Sequence, residues 1–195
     1  MRHNVATGKY AGVVGVAGLA AVSALVVALN YKGLNYTISN HSVVTPLSTA
    51  AFCLVGTLAA LLIAFHLLVY LPQKWDVGKG YRFVAGAFGL SFIATCLYPN
   101  DPTTVTLHDI AAWGIVLAEF ALMAYLLVRL WHQYDALLRM ANVLLVALMV
   151  VMAFVALFEN GFLWSYILIF EPGIVALVFV LDLLLILCHP QGARA

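Results

Sequence analysis

Long apolar runs, cut at short intervals by polar and turn-forming residues, set the pattern of this chain. Six stretches qualify or nearly qualify as membrane spans: 11–29, 50–71, 83–98, 110–130, 140–158 and 163–188. A spanning helix needs about 20 mostly apolar residues, because roughly 30 Å of hydrocarbon is crossed at ~1.5 Å per residue. The runs are rich in Ala and Leu and lack the period-two alternation of barrel strands, so they predict helices. Between them lie Asn30-Tyr31-Lys32-Gly33, Pro72-Gln73-Lys74-Trp75-Asp76, Pro99-Asn100-Asp101-Pro102, His132-Gln133-Tyr134-Asp135 and Glu159-Asn160-Gly161, all turn-forming or charged. The predicted fold is all-α, a six-helix transmembrane bundle forming one integral membrane domain over 1–195.

Some spans carry finer signals. Gly86 and Gly89 in the short third span, and Gly12, Gly15 and Gly18 in the first, mark expected close helix contacts, as does Gly80. The last span has two readings. A helix beginning at Pro172 suits a proline in the first turn, whereas a longer helix from Leu163 would kink at Pro172. The longer helix is preferred, because the stretch from Leu163 to Phe170 is too apolar to lie in water.

Composition agrees with a bilayer as solvent. Hydrophobic residues make up 65% of the chain and charged residues 9%, against about 25% charged in soluble domains. The balance of 9 Lys+Arg against 8 Asp+Glu offers no basic surface for nucleic acid. With the N-terminus inside, the inner segments hold Arg2, Lys9, Lys74, Lys79, Arg82, Arg129, Arg139 and Arg194, and the outer ones hold only Lys32. The positive-inside rule therefore predicts both ends in the cytoplasm. The first apolar run is longer than the 7–15 residues of a signal peptide's core, so it is read as a retained anchor. Tyr31, Tyr36, Trp75, Tyr81, Tyr98, Trp131, Tyr134 and Trp164 fall near predicted interfaces and are expected to form aromatic belts.

The loop residues Leu97-Tyr98-Pro99-Asn100-Asp101-Pro102, followed by Leu107-His108-Asp109 at a helix start, resemble the F-P-x-D … H signature of domain-of-unknown-function family 998. Tyr36-Thr37-Ile38-Ser39 resembles its T-I-S element, while Tyr98 stands where that family has Phe. The resemblance implies a six-span protein of the bacterial cytoplasmic membrane and points at the outer loops without naming a reaction. A more distant similarity is to the six-span Frag/Sfk and autophagy-modulator type.

Two polar clusters are candidates. In the outer one, Asp101, His108 and Glu119 are joined by Ser39 and His41 from the first outer loop as ligand-binding residues. His108 and Glu119 share one helix face about 16 Å apart at ~1.5 Å per residue. An ionisable group at Glu119's depth is expensive, so it should face the bundle interior and floor a polar cavity open to the outside. The alternative is that Asp101 and His108 are caps and Glu119 is protonated and hydrogen-bonded. In the inner cluster, His66 and Asp182 lie at similar depth and form a secondary polar pair, with Tyr70 and Arg129 within reach. Its plainer role is to fix helix packing. Cys53 and Cys96 lie at similar depth near the outer side, where a disulfide is one option, and Cys188 is expected to be a free thiol.

No Walker loop, nucleophile elbow, Cys-x-x-Cys or His-Glu-x-x-His occurs. The reading is a small binding or accessory module with an outward polar cavity for a lipid headgroup or small polar solute, without cofactor or metal. The alternatives are a membrane hydrolase or transferase using Asp101, His108 and His41, with or without zinc, and a structural subunit of a larger membrane complex. Membrane lipids are the expected partners, with a homo-oligomer or larger assembly as further options.

Overall fold

A computed structural model describes residues 2–33, 36–157, 167–188 and 190. The described residues are helical, without strands. Helix α1 spans Arg2–Leu29, and a short helix α2, Ile38–Ser42, sits in the connection that follows. Helix α3 runs continuously over Pro46–Lys74, α4 over Tyr81–Leu97, α5 over Val105–Leu130, α6 over Ala136–Leu157 and α7 over Ile167–Leu187. Three helical stretches are long and apolar enough to cross a membrane: Gly8–Leu29, Pro46–Lys74 and Val105–Leu130. Tyr81–Leu97 and Ala136–Val151 are shorter apolar helices. The last helix is already formed at Ile167, ahead of Pro172; Leu163, Glu159 and Trp164 lie outside the described residues.

The second long helix starts at Pro46, earlier than the apolar pattern suggests. Thr45 is its N-cap: its hydroxyl accepts from the Ser48 N–H and Ser48 Oγ accepts from the Thr45 N–H, forming a capping box with Pro46 just inside the helix. The same device, built from Thr37 and Asn40, starts α2. Both satisfy N–H groups that would otherwise be orphaned.

Consecutive helices alternate in direction, so the bundle has two ends. The start of α1 and the last turn of α7 share the proximal end: the Gly8 carbonyl lies 2.7 Å from His66 Nδ1 near the end of α3, and Lys74 donates to the Leu185 and Ile186 carbonyls at 2.9 and 2.6 Å. The distal end holds α2 and the turn from Tyr98 to Thr104.

Packing follows the small residues. An added Cβ at Gly12 would lie 2.6 Å from the His66 ring, and one at Gly15 would lie 2.8 Å from the Ala59 carbonyl, so α1 sits close on α3. Gly18 has only an ordinary contact with Ala59, at 3.9 Å. Gly89 abuts Ala64 of α3 and Gly114 abuts Ser91, which clamps α4 between α3 and α5. Gly86 faces open space, with nothing within 4 Å, so it does not mark a contact.

Three of the expected belt aromatics belong to the core instead. Trp75, Tyr81 and Tyr134 are almost completely buried. The Trp75 indole donates to the Leu185 carbonyl at 3.1 Å, and with Lys74 it serves the orphan carbonyls and negative dipole end of α7. Tyr81 donates to the Leu67 carbonyl at 2.9 Å. The Tyr134 hydroxyl accepts from the Asn142 side-chain amide at 3.2 Å. Each of the three rings thus has a polar partner within the protein and no need of the headgroup layer. Tyr31, Tyr36, Tyr98 and Trp131 are exposed.

Candidate functional site

The distal site is built around the start of α5. The buried stripe of that helix includes His108, Ala111, Ile115, Glu119, Leu122 and Leu126. His108 and Glu119 therefore share the face turned into the bundle, and Glu119 is completely buried. His108 Nδ1 lies 2.7 Å from the Tyr98 carbonyl. A carbonyl can only accept, so Nδ1 carries the proton and the ring is anchored to the end of α4. Nε2 has no hydrogen-bond partner among the described residues, which leaves it to accept from a ligand or, when protonated, to donate.

Asp101 is on the turn before α5. Its Oδ1 accepts from the Thr103 N–H at 2.8 Å, the Thr103 hydroxyl at 2.5 Å and the Thr104 N–H at 3.2 Å. These donors favour the ionised form and hold the carboxyl below the usual carboxylate range, the Thr103 hydroxyl contributing most. A depressed value in the folded state means that the turn's contribution is present at neutral pH and is lost as pH falls through the folded value. Asp101→Asn, which keeps an acceptor oxygen, is expected to leave the neutral-pH melting temperature nearly unchanged and to remove this acid limb. A melting temperature series against pH checks both.

His41 is committed to the loop that carries it. Nδ1 donates to the Thr37 carbonyl at 2.7 Å, and Nε2 accepts from the Lys32 N–H at 3.1 Å. Both nitrogens of this neutral, fully buried ring are occupied, and neither is open to a metal or substrate. Ser39 is closer to the site: its hydroxyl meets Thr37 Oγ1 at 2.8 Å and is approached by Asn100 Nδ2 at 3.5 Å. That contact joins the first connection to the Tyr98–Thr104 turn. Among the described residues no three His, Cys, Asp or Glu side chains converge to hold a metal ion, so Asp101, His108 and His41 do not form the zinc set of the alternative hydrolase reading. Cys53, Cys96 and Cys188 are free thiols.

At the proximal end, His66 Nε2 stands 2.8 Å from Asp182 Oδ2. The approach is a close polar contact rather than a well-aimed hydrogen bond. The Tyr70 ring stacks on the imidazole with centroids 4.9 Å apart. Arg129 does not join this group. It pairs with Asp76 at 2.9 Å, near the surface, and helps to pin the loop between α3 and α4. Tyr125 donates to the Val77 carbonyl in the same loop. Gly78 there has φ +72°, and an added Cβ would lie 3.0 Å from Arg129 Nε, so only glycine suits the bend.

Beside this loop an open cleft of about 440 Å³ is lined by Trp75, Asp76, Gly78, Lys79 and Arg82 among others. Asp76 is neutralised by Arg129, whereas Lys79 and Arg82 have no ion-pair partner among the described residues. The cleft lies outside both clusters singled out from sequence. Its only sequence signal is the pair of cations beside a glycine-rich turn, a pattern the charge bias alone already explains.

Searches against protein-family models, curated proteins and solved structures find no match to this chain.

Proposed function

We propose that this protein is a six-span membrane binding module, with both ends in the cytoplasm, that holds a lipid headgroup or small polar solute at its distal end. The observation that carries this reading is the His108–Glu119 stripe. It places a buried imidazole with an open Nε2 about three turns above a fully buried carboxyl on one interior-facing helix side. Ser39 and Asn100 supply neighbouring polar groups, and Asp101 shapes the turn that positions them. The alternation of the helices, the shared position of the start of α1 and the end of α7 and the bias of cations support the six-span topology, as does the loop resemblance to domain-of-unknown-function family 998.

A second reading is favoured by the proximal cleft, whose volume falls in the range of small-molecule sites and whose Lys79 and Arg82 suit a phosphate-bearing headgroup. Native mass spectrometry of the protein released from lipid nanodiscs separates the two. His108→Ala is expected to lower lipid retention about tenfold, the value of one buried hydrogen bond, with helical content unchanged. Retention unaffected by His108→Ala but lost in the Lys79→Gln/Arg82→Gln double variant moves the site to the proximal cleft. Retention unaffected by either overturns both readings.

A further inference from the structure

His66 and Asp182 carry a chemistry that neither ligand site uses. The His66 ring is completely buried, and its Nδ1 faces the Gly8 carbonyl at 2.7 Å. Nδ1 must therefore be a donor. Nε2 and Asp182 Oδ2 are 2.8 Å apart, a distance at which two bare lone pairs would repel. The close approach therefore implies one further proton on the pair, on nitrogen as imidazolium–carboxylate or on oxygen as imidazole–carboxylic acid. In both forms the pair is net neutral. Asp182 Oδ1 has no hydrogen-bond partner among the described residues. The side chain borders a void of about 10 Å³ shared with Leu67, Met123, Leu126 and Leu181. Removing the proton would leave a carboxylate facing an imidazole lone pair among apolar side chains, and adding a second would bury an uncompensated cation. Each is costly in such a medium.

We propose that His66 and Asp182 form a proton-binding site inside the bundle and that its occupancy governs the seating of α7 on α3. Asp182 is on α7 and His66 on α3, and α7 packs mainly on α6. Among the described residues its polar fastenings to the end of α3 are this pair and, about one turn further on, the bonds from Lys74 and Trp75 to the Leu185 and Ile186 carbonyls. The contact also begins a π segment, His66–Tyr70, a helix form frequent at functional positions. The groups around the pair are accounted for. On α1, Gly8 contributes its carbonyl, and Lys9, with Cys188 just after α7, lies within electrostatic reach of Lys74. From α3 come the stacked Tyr70 and, nearer the helix end, the Lys74 ammonium engaged on α7. Tyr81 of α4 is engaged on Leu67, and Leu122, Met123 and Leu126 of α5 bring no charge. The Tyr70 and Tyr81 phenols are neutral below about pH 10. Loss of the pair's proton sets a carboxylate against an imidazole lone pair between α3 and α7 and unseats α7.

The test uses the full-length protein in nanodiscs with nitrogen-15 labelling. The Trp75 indole N–H, assigned through Trp75→Phe, reports seating because it donates to Leu185. Its seated resonance is expected at neutral pH and is lost on alkalinisation in a single step, together with the titration of the His66 Nε2 signal. Asp182→Asn offers an amide N–H to Nε2 without a removable proton, and is expected to keep the seated resonance to the alkaline limit. An alkaline loss in Asp182→Asn matching the wild type would overturn the proposal. Should that variant not fold, the wild type decides: His66 and Trp75 signals changing in two separate steps, or a Trp75 signal that never changes, also overturns it.

Discussion

Gly12→Ala is expected to destabilise the bundle by roughly 2–3 kcal/mol, the cost of overpacking a close helix contact together with part of a hydrogen bond. The added methyl group would stand 2.6 Å from His66 Cγ and 2.8 Å from Nδ1. A side chain with a free end would swing aside, but this ring has none. It is held by the Gly8 carbonyl on one nitrogen and by Asp182 on the other. The helices must part instead, which lengthens the 2.7 Å bond to Gly8 and opens the contact between Gly8 and Tyr70, where an added Cβ would already lie 3.0 Å away. Gly86→Ala is the control. Its Cβ meets nothing within 4 Å, so it is expected to be neutral or to stabilise by up to ~1 kcal/mol through helix propensity. Unfolding followed by circular dichroism in detergent compares the two. Equal losses would mean that α1 does not lie against α3 at His66.

Tyr81→Phe is expected to cost about 1–3 kcal/mol, the penalty for leaving a buried acceptor unpaired. The reason is a local fault in the α3 hydrogen-bond ladder. In the π segment the Leu71 N–H bonds back to the His66 carbonyl, one residue further than in an α-helix. The Leu67 carbonyl then depends on the next residue, Pro72, which has no N–H. The Tyr81 hydroxyl fills the vacancy from the start of α4 at 2.9 Å. Water cannot substitute freely, because Leu67 and Tyr81 are both almost fully buried. Pro72→Ala restores an N–H at the required position, so Tyr81→Phe should cost less in that background than alone. A double-mutant cycle measures the difference. Strict additivity would show that the hydroxyl does not compensate for the proline.

Tyr81 and Trp75 also show why part of the core is not legible in the chain. A Tyr or Trp near the end of an apolar run is equally at home in the headgroup layer or against an orphan backbone carbonyl. Which one applies depends on whether a carbonyl is left without a partner nearby. That depends on a π register and on how α7 ends, neither of which leaves a mark in hydrophobic periodicity. The capping boxes at Thr37/Asn40 and Thr45/Ser48 are different. Their spacing is visible in Thr37-Ile38-Ser39-Asn40 and Thr45-Pro46-Leu47-Ser48, with Asn and Ser standing where Glu or Gln is usual. The candidate ligands divide along the same line. The shared face of His108 and Glu119 follows from helical spacing alone. The occupation of both His41 nitrogens depends on where the Lys32 and Thr37 backbones fold, and no residue type announces it.

Taken by itself, the order of residues determined that this chain would be helical and where most of its helices would run. Backbone polar groups surrounded by apolar side chains must be satisfied within the segment, so long apolar runs have little alternative to the helix. It also marked the first span as able to approach a neighbour closely through Gly12, Gly15 and Gly18, whereas the structure decided that Gly12 and Gly15 make the close contact and Gly18 does not. Tertiary structure decided which polar groups meet. His66 and Asp182, Lys74 and the end of α7, and Tyr81 and Leu67 are pairings between distant helices. Each depends on rotation and depth to within an ångström or two, because a hydrogen bond fails over that distance whereas a hydrophobic run tolerates it.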